Sequence, residues 1–429
     1  MRSMLAAAYE VAARLALAVA QVVPPGESKL LRALRARRGS ADRYRRWAEL
    51  HRDRSRPLLW MHAPSVGEGL QARPVLERMR AMRPDVQLAY THFSPSAEGF
   101  AARLNVDFRD YLPFDATTAA RDALDALQPT ALVFSKGDVW PTLTREARAR
   151  DVRLGLISAT LATRSSRRRG IASAMLRNAY ARLDAVGAID GEDAERLAEL
   201  GVRRDVIEIT GDTRYDQVWA RATAVDQSSA LLAPFASARP TLVAGSTWPA
   251  DERILLPAWL RVRREIPQAR LIIAPHEPAA THLLPIERWA EESHLRHARL
   301  GSPGASSADV VVVDRVGVLG DLYALATVAF VGGGFHAAGL HSVVEPAAFG
   351  APVIFGPRWS TSRDAGLLLR TESAAAVSNA AEMATQLAVW MGSSDARRTA
   401  GDRAQALVRS GLGAADRSVA LVARLLEIR

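Results

Sequence analysis

The sequence has no cysteine and only two lysines, Lys29 and Lys136. Without cysteine there is no disulfide, no thiolate metal site and no cysteine nucleophile, a composition that fits a reducing compartment. Aromatic residues make up only 6% of the chain. The most basic stretch carries just Tyr44 and Trp47, too few for the stacking platforms that bind single-stranded nucleic acid. Low-complexity tracts and short-period repeats are also missing. What is present is 429 residues with 48% hydrophobic content, enough for two packed domains. The net charge of +10 is carried almost wholly by arginine and favours an anionic partner: nucleic acid, a membrane surface or a phosphorylated substrate.

No long apolar run is free of charge. Residues 4–24 come nearest, but Glu10 and Arg14 interrupt them. These two are one helical turn apart and can pair, leaving a face of Ala, Leu and Val. This pattern predicts a helix lying on a membrane surface rather than one crossing it. The segment that follows, with Lys29, Arg32, Arg35, Arg37, Arg38, Arg43, Arg45 and Arg46, reads as attraction to anionic headgroups.

From Leu58 onward, short apolar runs alternate with helical patterns. Strands are predicted at Leu58–Ala63, Val86–Thr91, Ala131–Ser135, Val152–Ile157, Ala185–Ile189 and Val206–Thr210. A second block gives Thr241–Ala244, Arg270–Ala274, Val310–Val313, Val328–Val331 and Pro352–Phe355. Such alternation predicts parallel sheets covered by helices on both faces, with ligands beyond the carboxyl ends of the strands. The predicted organisation is a membrane-associated helix and basic segment (1–50), a Rossmann-like domain (51–220), a linker (221–240), a second Rossmann-like domain (241–410) and a C-terminal helix (411–429).

Several strand ends carry reactive side chains. Glu68 lies in a Ser65–Gly69 turn next to a helix N-terminus, which keeps a carboxylate ionised and suits a general base or a helix cap. Asp138, between Lys136 and Trp140, fits a catalytic carboxylate and the N-cap of the next helix equally well. Gly245-Ser246-Thr247 offers N–H groups and hydroxyls for a phosphate. Gly332-Gly333-Gly334 after a strand is either an anion-binding turn or a tight turn only. A helix is predicted over Leu340–Phe349, with Glu345 well inside it. The histidines, His294 and His297 included, have no acidic partners at metal-ligand spacing. Gly332–Ala337 fits a dinucleotide fingerprint, but no acidic residue ends the next strand.

The ordered set of motifs resembles the 3-deoxy-D-manno-octulosonic acid (Kdo) transferases. It comprises Ser65-Val66-Gly67-Glu68, Trp140-Pro141, Arg164-Ser165, Gly245-Ser246-Thr247, the triple glycine with Gly339 and His341, Glu345-Pro346 and Gly356-Pro357. The resemblance implies an α/β fold of two Rossmann-like domains facing a central cleft, the GT-B type of glycosyltransferase. It implies inverting transfer of Kdo from CMP-Kdo to a lipid A precursor in lipopolysaccharide synthesis, with no metal or cofactor, at the cytoplasmic face of the inner membrane. Glu68 takes the role of base and Asp138 of a second catalytic carboxylate. Donor binding falls to Gly245, Ser246, Thr247, His276, Gly333, Gly334, His341 and Glu345. Acceptor binding falls to Ser65, Gly67, Lys136 and Arg164. The sequence departs from the family pattern at Lys136 (Glu in the family), Thr160 and His276 (both Arg), Leu340 (Gly) and Ser342 (Asn). Two alternatives stay open: the same fold with another sugar nucleotide, and a membrane-attached relative without activity.

Overall fold

A computed structural model describes residues 2–22, 28–162, 165, 167 and 170–427. The chain forms two compact units, Met1–Gln217 with Leu412–Arg429, and Val218–Gly411.

The first unit is built on seven parallel strands: β1 (Leu58–His62), β2 (Gln87–His92), β3 (Phe108–Tyr111), β4 (Ala131–Ser135), β5 (Arg153–Ala159), β6 (Ala185–Ala188) and β7 (Ile207–Ile209). Their order is β3-β2-β1-β4-β5-β6-β7. β1, β2 and β4 are buried along their whole length, as expected of parallel strands with helices on both faces. The strand order reverses between β1 and β4, so a crevice opens beyond their carboxyl ends. One face of the sheet is covered by the C-terminal helix Ala414–Leu426, which buries Val419, Val422, Leu425 and Leu426. These apolar positions recur at helical spacing. Asp216 accepts the Gly413 and Ala415 N–H groups at 2.9 and 2.8 Å, holding the start of this helix and opposing its dipole.

The N-terminal helix Arg2–Val22 is also fastened to this unit. Tyr9 donates to Asp115 at 2.9 Å, and Glu10 accepts the Thr117 N–H and hydroxyl while pairing with Arg14 at 2.8 Å. Val11, Leu15, Val19 and Val22 form an exposed apolar stripe. Among the described residues no helix is long and apolar enough to cross a membrane. The basic segment departs from its sequence reading at two positions. Arg37 is buried, donating to the carbonyls of Leu112, Ala33 and Phe93, and lies 3.7 Å over the Phe93 ring. Arg43 makes a forked pair with Asp110. Arg37 therefore holds the fold, and Arg43, still exposed, is tied to β3.

The second unit repeats the plan with β8 (Thr241–Thr247), β9 (Arg270–Pro275), β10 (His297–Arg299), β11 (Val310–Val312), β12 (Val328–Val331), β13 (Val353–Phe355) and β14 (Ala374–Ala376). All pairings are parallel, in the order β10-β11-β9-β8-β12-β13-β14. The stretch read as a linker packs here instead. Leu232 and Phe235 are buried, and Arg270 donates to the Phe235 carbonyl at 2.9 Å. Its Ala and Ser content hid these two apolar anchors. The short strands β3, β10 and β14 were absent from the sequence reading: FRDY and HAR carry few apolar residues, and β14 is three alanines, a residue depleted in strands.

Candidate active site

In the first unit the site grows from the switch between β1 and β4. The helix after β1 starts at Val66, with Ser65 as its N-cap, so Glu68 is its third residue rather than part of a preceding turn. The helix dipole favours a negative charge there. The Ser65 hydroxyl donates to Glu68 Oε2, and Lys136 Nζ lies 3.2 Å from Oε1. Ser135, at the end of β4, donates its hydroxyl to the Glu68 carbonyl at 3.0 Å. Burial pushes the Glu68 carboxyl up, but the Ser65 hydroxyl and the Lys136 ammonium outweigh it, so Glu68 titrates below its ordinary value. Gly67 is exposed in the same first helical turn.

Asp138 behaves differently. It does not cap the following helix, whose N-cap is Trp140. The Thr142 and Leu143 N–H groups of that helix go to Asp115, at 2.8 and 2.7 Å. Asp138 pairs instead with Arg167. Burial lifts the Asp138 carboxyl, Arg167 opposes this, and the nearby Glu68 charge adds to it; the carboxyl titrates above its ordinary value. Two neighbouring carboxyls are thus pushed in opposite directions, a pattern that separates an ionised base from its neighbour. Trp140 is fixed by a buried chain: its indole N–H donates to His62 Nε2 at 3.2 Å, and His62 Nδ1 meets Thr91 Oγ1 at 3.0 Å. Burial drives His62 down to about 3, so it stays neutral and accepts that bond. Arg164 lies outside the described residues.

The second unit gathers its predicted residues at the carboxyl ends of β8, β9 and β12. The His276 N–H donates to the Thr247 carbonyl, and the Gly332 N–H to the Gly245 carbonyl, both at 2.9 Å. His276 and His341 lie 4.6 Å apart between ring centroids. Trp248, which the sequence reading passed over, sits at the centre of this group. It stacks on His276 at 4.5 Å and on His336 at 4.3 Å, and its N–H donates to His341 Nε2 at 3.2 Å. Burial first, then His276 and His336, hold His341 down to about 4, consistent with a neutral acceptor. An aromatic residue directly after Gly245-Ser246-Thr247 was the available signal for Trp248; His336 had none. Among the described residues no group of His, Asp and Glu is arranged to hold a metal ion.

Of the two readings of the glycine turn, the structure shows the tight, packed one. The N–H groups of Gly333 and Phe335 go to Asp251, at 2.7 and 3.0 Å, rather than to an open anion site. Asp251 also accepts the Trp248 N–H at 2.9 Å and is fully buried. The glycines are required by packing: a Cβ on Gly332 would strike the Ser246 backbone, and one on Gly333 the Gly339 carbonyl. The Thr247 hydroxyl is likewise engaged, by Glu252 at 2.8 Å. The helix around Glu345 spans only Val344–Ala348, so Glu345 lies in its first turn. A start at Leu340 would place Pro346 in the helix interior, where its ring clashes with the carbonyl four residues back; starting at Val344 keeps it in the first turn.

Comparison with known proteins gives a consistent family. A family profile described as 3-deoxy-D-manno-octulosonic-acid transferase (kdotransferase), N-terminal part, matches residues 33–217. A 3-deoxy-D-manno-octulosonic acid transferase of Bordetella pertussis is 30% identical over 390 residues, covering 84% of this chain and 86% of its own. One of Haemophilus influenzae is 25% identical over 303 residues, 70% of each chain. Among solved structures, UDP-GlcNAc 2-epimerase from Neisseria meningitidis bound to UDP-GlcNAc superposes with a TM-score of 0.64 at 14% identity, covering 86% of this chain and 100% of its own. That likeness concerns the fold alone.

Proposed function

The chain belongs to the Kdo transferase family, and from that premise we propose that it moves Kdo from CMP-Kdo to a lipid A precursor, with inversion at the anomeric carbon. The observation that carries the reading is Glu68. It sits at the switch point of the first sheet, ionised, with both carboxylate oxygens oriented by Ser65 and Lys136.

In the proposed reaction a hydroxyl oxygen of the acceptor bonds to the anomeric carbon of Kdo. The bond from that carbon to the CMP phosphate oxygen breaks, and the hydroxyl proton passes to Glu68. CMP leaves with the bonding electron pair. Acceptor contacts fall to Ser65, Gly67, Lys136 and Arg164. Donor contacts fall to the second unit, at Ser246, His276, His341 and Glu345. Because Asp251 and Glu252 occupy the Gly333 N–H and the Thr247 hydroxyl, donor phosphate recognition here relies on the remaining groups at these strand ends.

The reading includes a membrane surface at the cytoplasmic face of the inner membrane. The stripe Val11, Leu15, Val19 and Val22 supports it, being an apolar helical face without a partner in the described structure. The exposed arginines of the basic segment add attraction to anionic lipid.

The test is incubation of the detergent-solubilised protein with CMP-Kdo and a tetra-acylated lipid A precursor, followed by mass spectrometry of the lipid. Addition of Kdo to the lipid is expected. Transfer from a different sugar nucleotide, with none from CMP-Kdo, would refute the donor assignment. For the surface, Leu15→Glu with Val19→Glu is expected to abolish sedimentation with anionic vesicles; unchanged sedimentation would remove the helix from that role.

A further inference from the structure

We propose that Lys136 is a positioning residue, so that the Glu68–Lys136 pair, rather than Glu68 alone, is the unit that accepts the proton. This rests on the reading of Glu68 as the base. The ammonium lies 3.2 Å from Glu68 Oε1, while Ser65 holds Oε2. The carboxylate is therefore clamped at both oxygens before any substrate arrives, which fixes the plane in which it meets a hydroxyl.

Three features single out Lys136. First, it is one of two lysines in a chain with 56 basic residues. An ammonium is a compact charge on a pivoting stem, able to follow a carboxylate and then let go, whereas the arginine fork locks into two bonds. Second, its backbone is left-handed, with φ +71°. That conformation is unfavourable for a non-glycine residue, whose Cβ crowds the following carbonyl oxygen. It is held by the Lys136 N–H to the Ile157 carbonyl at 2.9 Å and the Thr160 N–H to the Lys136 carbonyl at 3.1 Å. A residue chosen for backbone alone would be glycine or asparagine. Third, the other charged and titratable groups around Glu68 are committed elsewhere. Arg167 pairs with Asp138, and Tyr90 is held protonated by burial and by the Glu68 charge itself. Among the described residues, the ion-pair partner of Glu68 is Lys136.

The pairing has a consequence during the reaction. When Glu68 takes the hydroxyl proton it becomes neutral, and the ammonium loses its partner. A positive charge is released at the reaction centre as negative charge develops on the leaving phosphate. The family pattern has a glutamate at this position, which would repel Glu68; the lysine therefore changes how the base is kept ionised, not merely which acceptor fits.

The experiment compares wild type, Lys136→Gln, Lys136→Arg, Glu68→Gln and the Lys136→Gln/Glu68→Gln double variant, in activity and in thermal unfolding, across pH. Glu68 titrates below its ordinary value, so its ionised form contributes stability that is lost as pH falls through the lowered value. In Lys136→Gln this loss is expected at higher pH, read as the midpoint difference from the Lys136→Gln/Glu68→Gln double variant. The acid limb of kcat/KM is expected to move upward with it. Activity on the acid side falls about tenfold for each pH unit moved, with recovery at higher pH. Lys136→Arg is expected to keep the wild-type limb. Coincident curves for Lys136→Gln and wild type, in either measurement, would overturn the proposal, as would a loss in Lys136→Gln that is equal at all pH values. If wild type turned over no CMP-Kdo, the substrate reading would fail, while the unfolding curves, which need no substrate, would still decide on the pair.

Discussion

Replacing Asp251 by alanine is expected to loosen the second unit. Asp251 is fully buried and accepts three backbone N–H groups: Trp248 at 2.9 Å, Gly333 at 2.7 Å and Phe335 at 3.0 Å. Hydrogen bonds to an ionised acceptor contribute about 1.5–3 kcal/mol each, and buried donors left unpaired add their own cost. Water entering the vacated space recovers part of this. A net loss of about 3–5 kcal/mol is therefore expected for Asp251→Ala. For a unit the size of Val218–Gly411, each kcal/mol corresponds to about 2–4 °C in midpoint, so the shift is roughly 6–20 °C. Scanning calorimetry reads the shift, and tryptophan fluorescence reports Trp248 losing its place between the imidazoles. A shift under about 2 °C would refute the claim that this carboxylate, rather than the glycines, holds the turn.

Other expectations can be checked alongside. Gly333→Ala is expected to destabilise the same unit by roughly 1–3 kcal/mol, since φ is +92° and the added Cβ meets the Gly339 carbonyl; an unchanged midpoint would contradict the packing account. Leu425→Ala is expected to destabilise the first unit by about 2–4 kcal/mol through a cavity over Gly155, measured by urea unfolding. Asp115 is raised to about 6 by burial, so the folded protein binds its proton more tightly than the unfolded chain. Its contribution to stability falls as pH rises from the ordinary carboxylate range through 6, and Asp115→Asn is expected to flatten the midpoint-versus-pH curve across that window. A curve parallel to wild type would remove Asp115 as the cause.

Both sheets were legible because parallel strands buried on two faces leave continuous apolar runs, such as Leu58–Met61 and Val328–Val331. Glu68 and Lys136 could be placed for a related reason: each follows closely on a strand, at its carboxyl end, whereas Gly245–Thr247, read as following a strand, is the last part of β8 itself. What the sequence concealed depends on partners distant in the chain. Asp251 lies 82 residues before Gly333, and nothing local distinguishes an acid that caps its own helix from one that also holds a distant turn. Arg37 looks like its basic neighbours until the carbonyls of Leu112 and Phe93 are brought around it. The short helix at Glu345 follows from Pro346, a local signal that the apolar pattern of Leu340–Phe349 outweighed. Trp248 and its three histidines come from three different strand ends and share no spacing.

The central claim is that this chain transfers Kdo using Glu68 as the base. The most direct measurement is release of CMP from CMP-Kdo by wild type and Glu68→Gln, with and without the lipid A precursor. Glu68→Gln keeps the size of the side chain and an oxygen for Ser65, so folding is expected to persist. The account predicts acceptor-dependent release by wild type, lowered about 10²–10⁴-fold in Glu68→Gln. Equal release by the two proteins would contradict it.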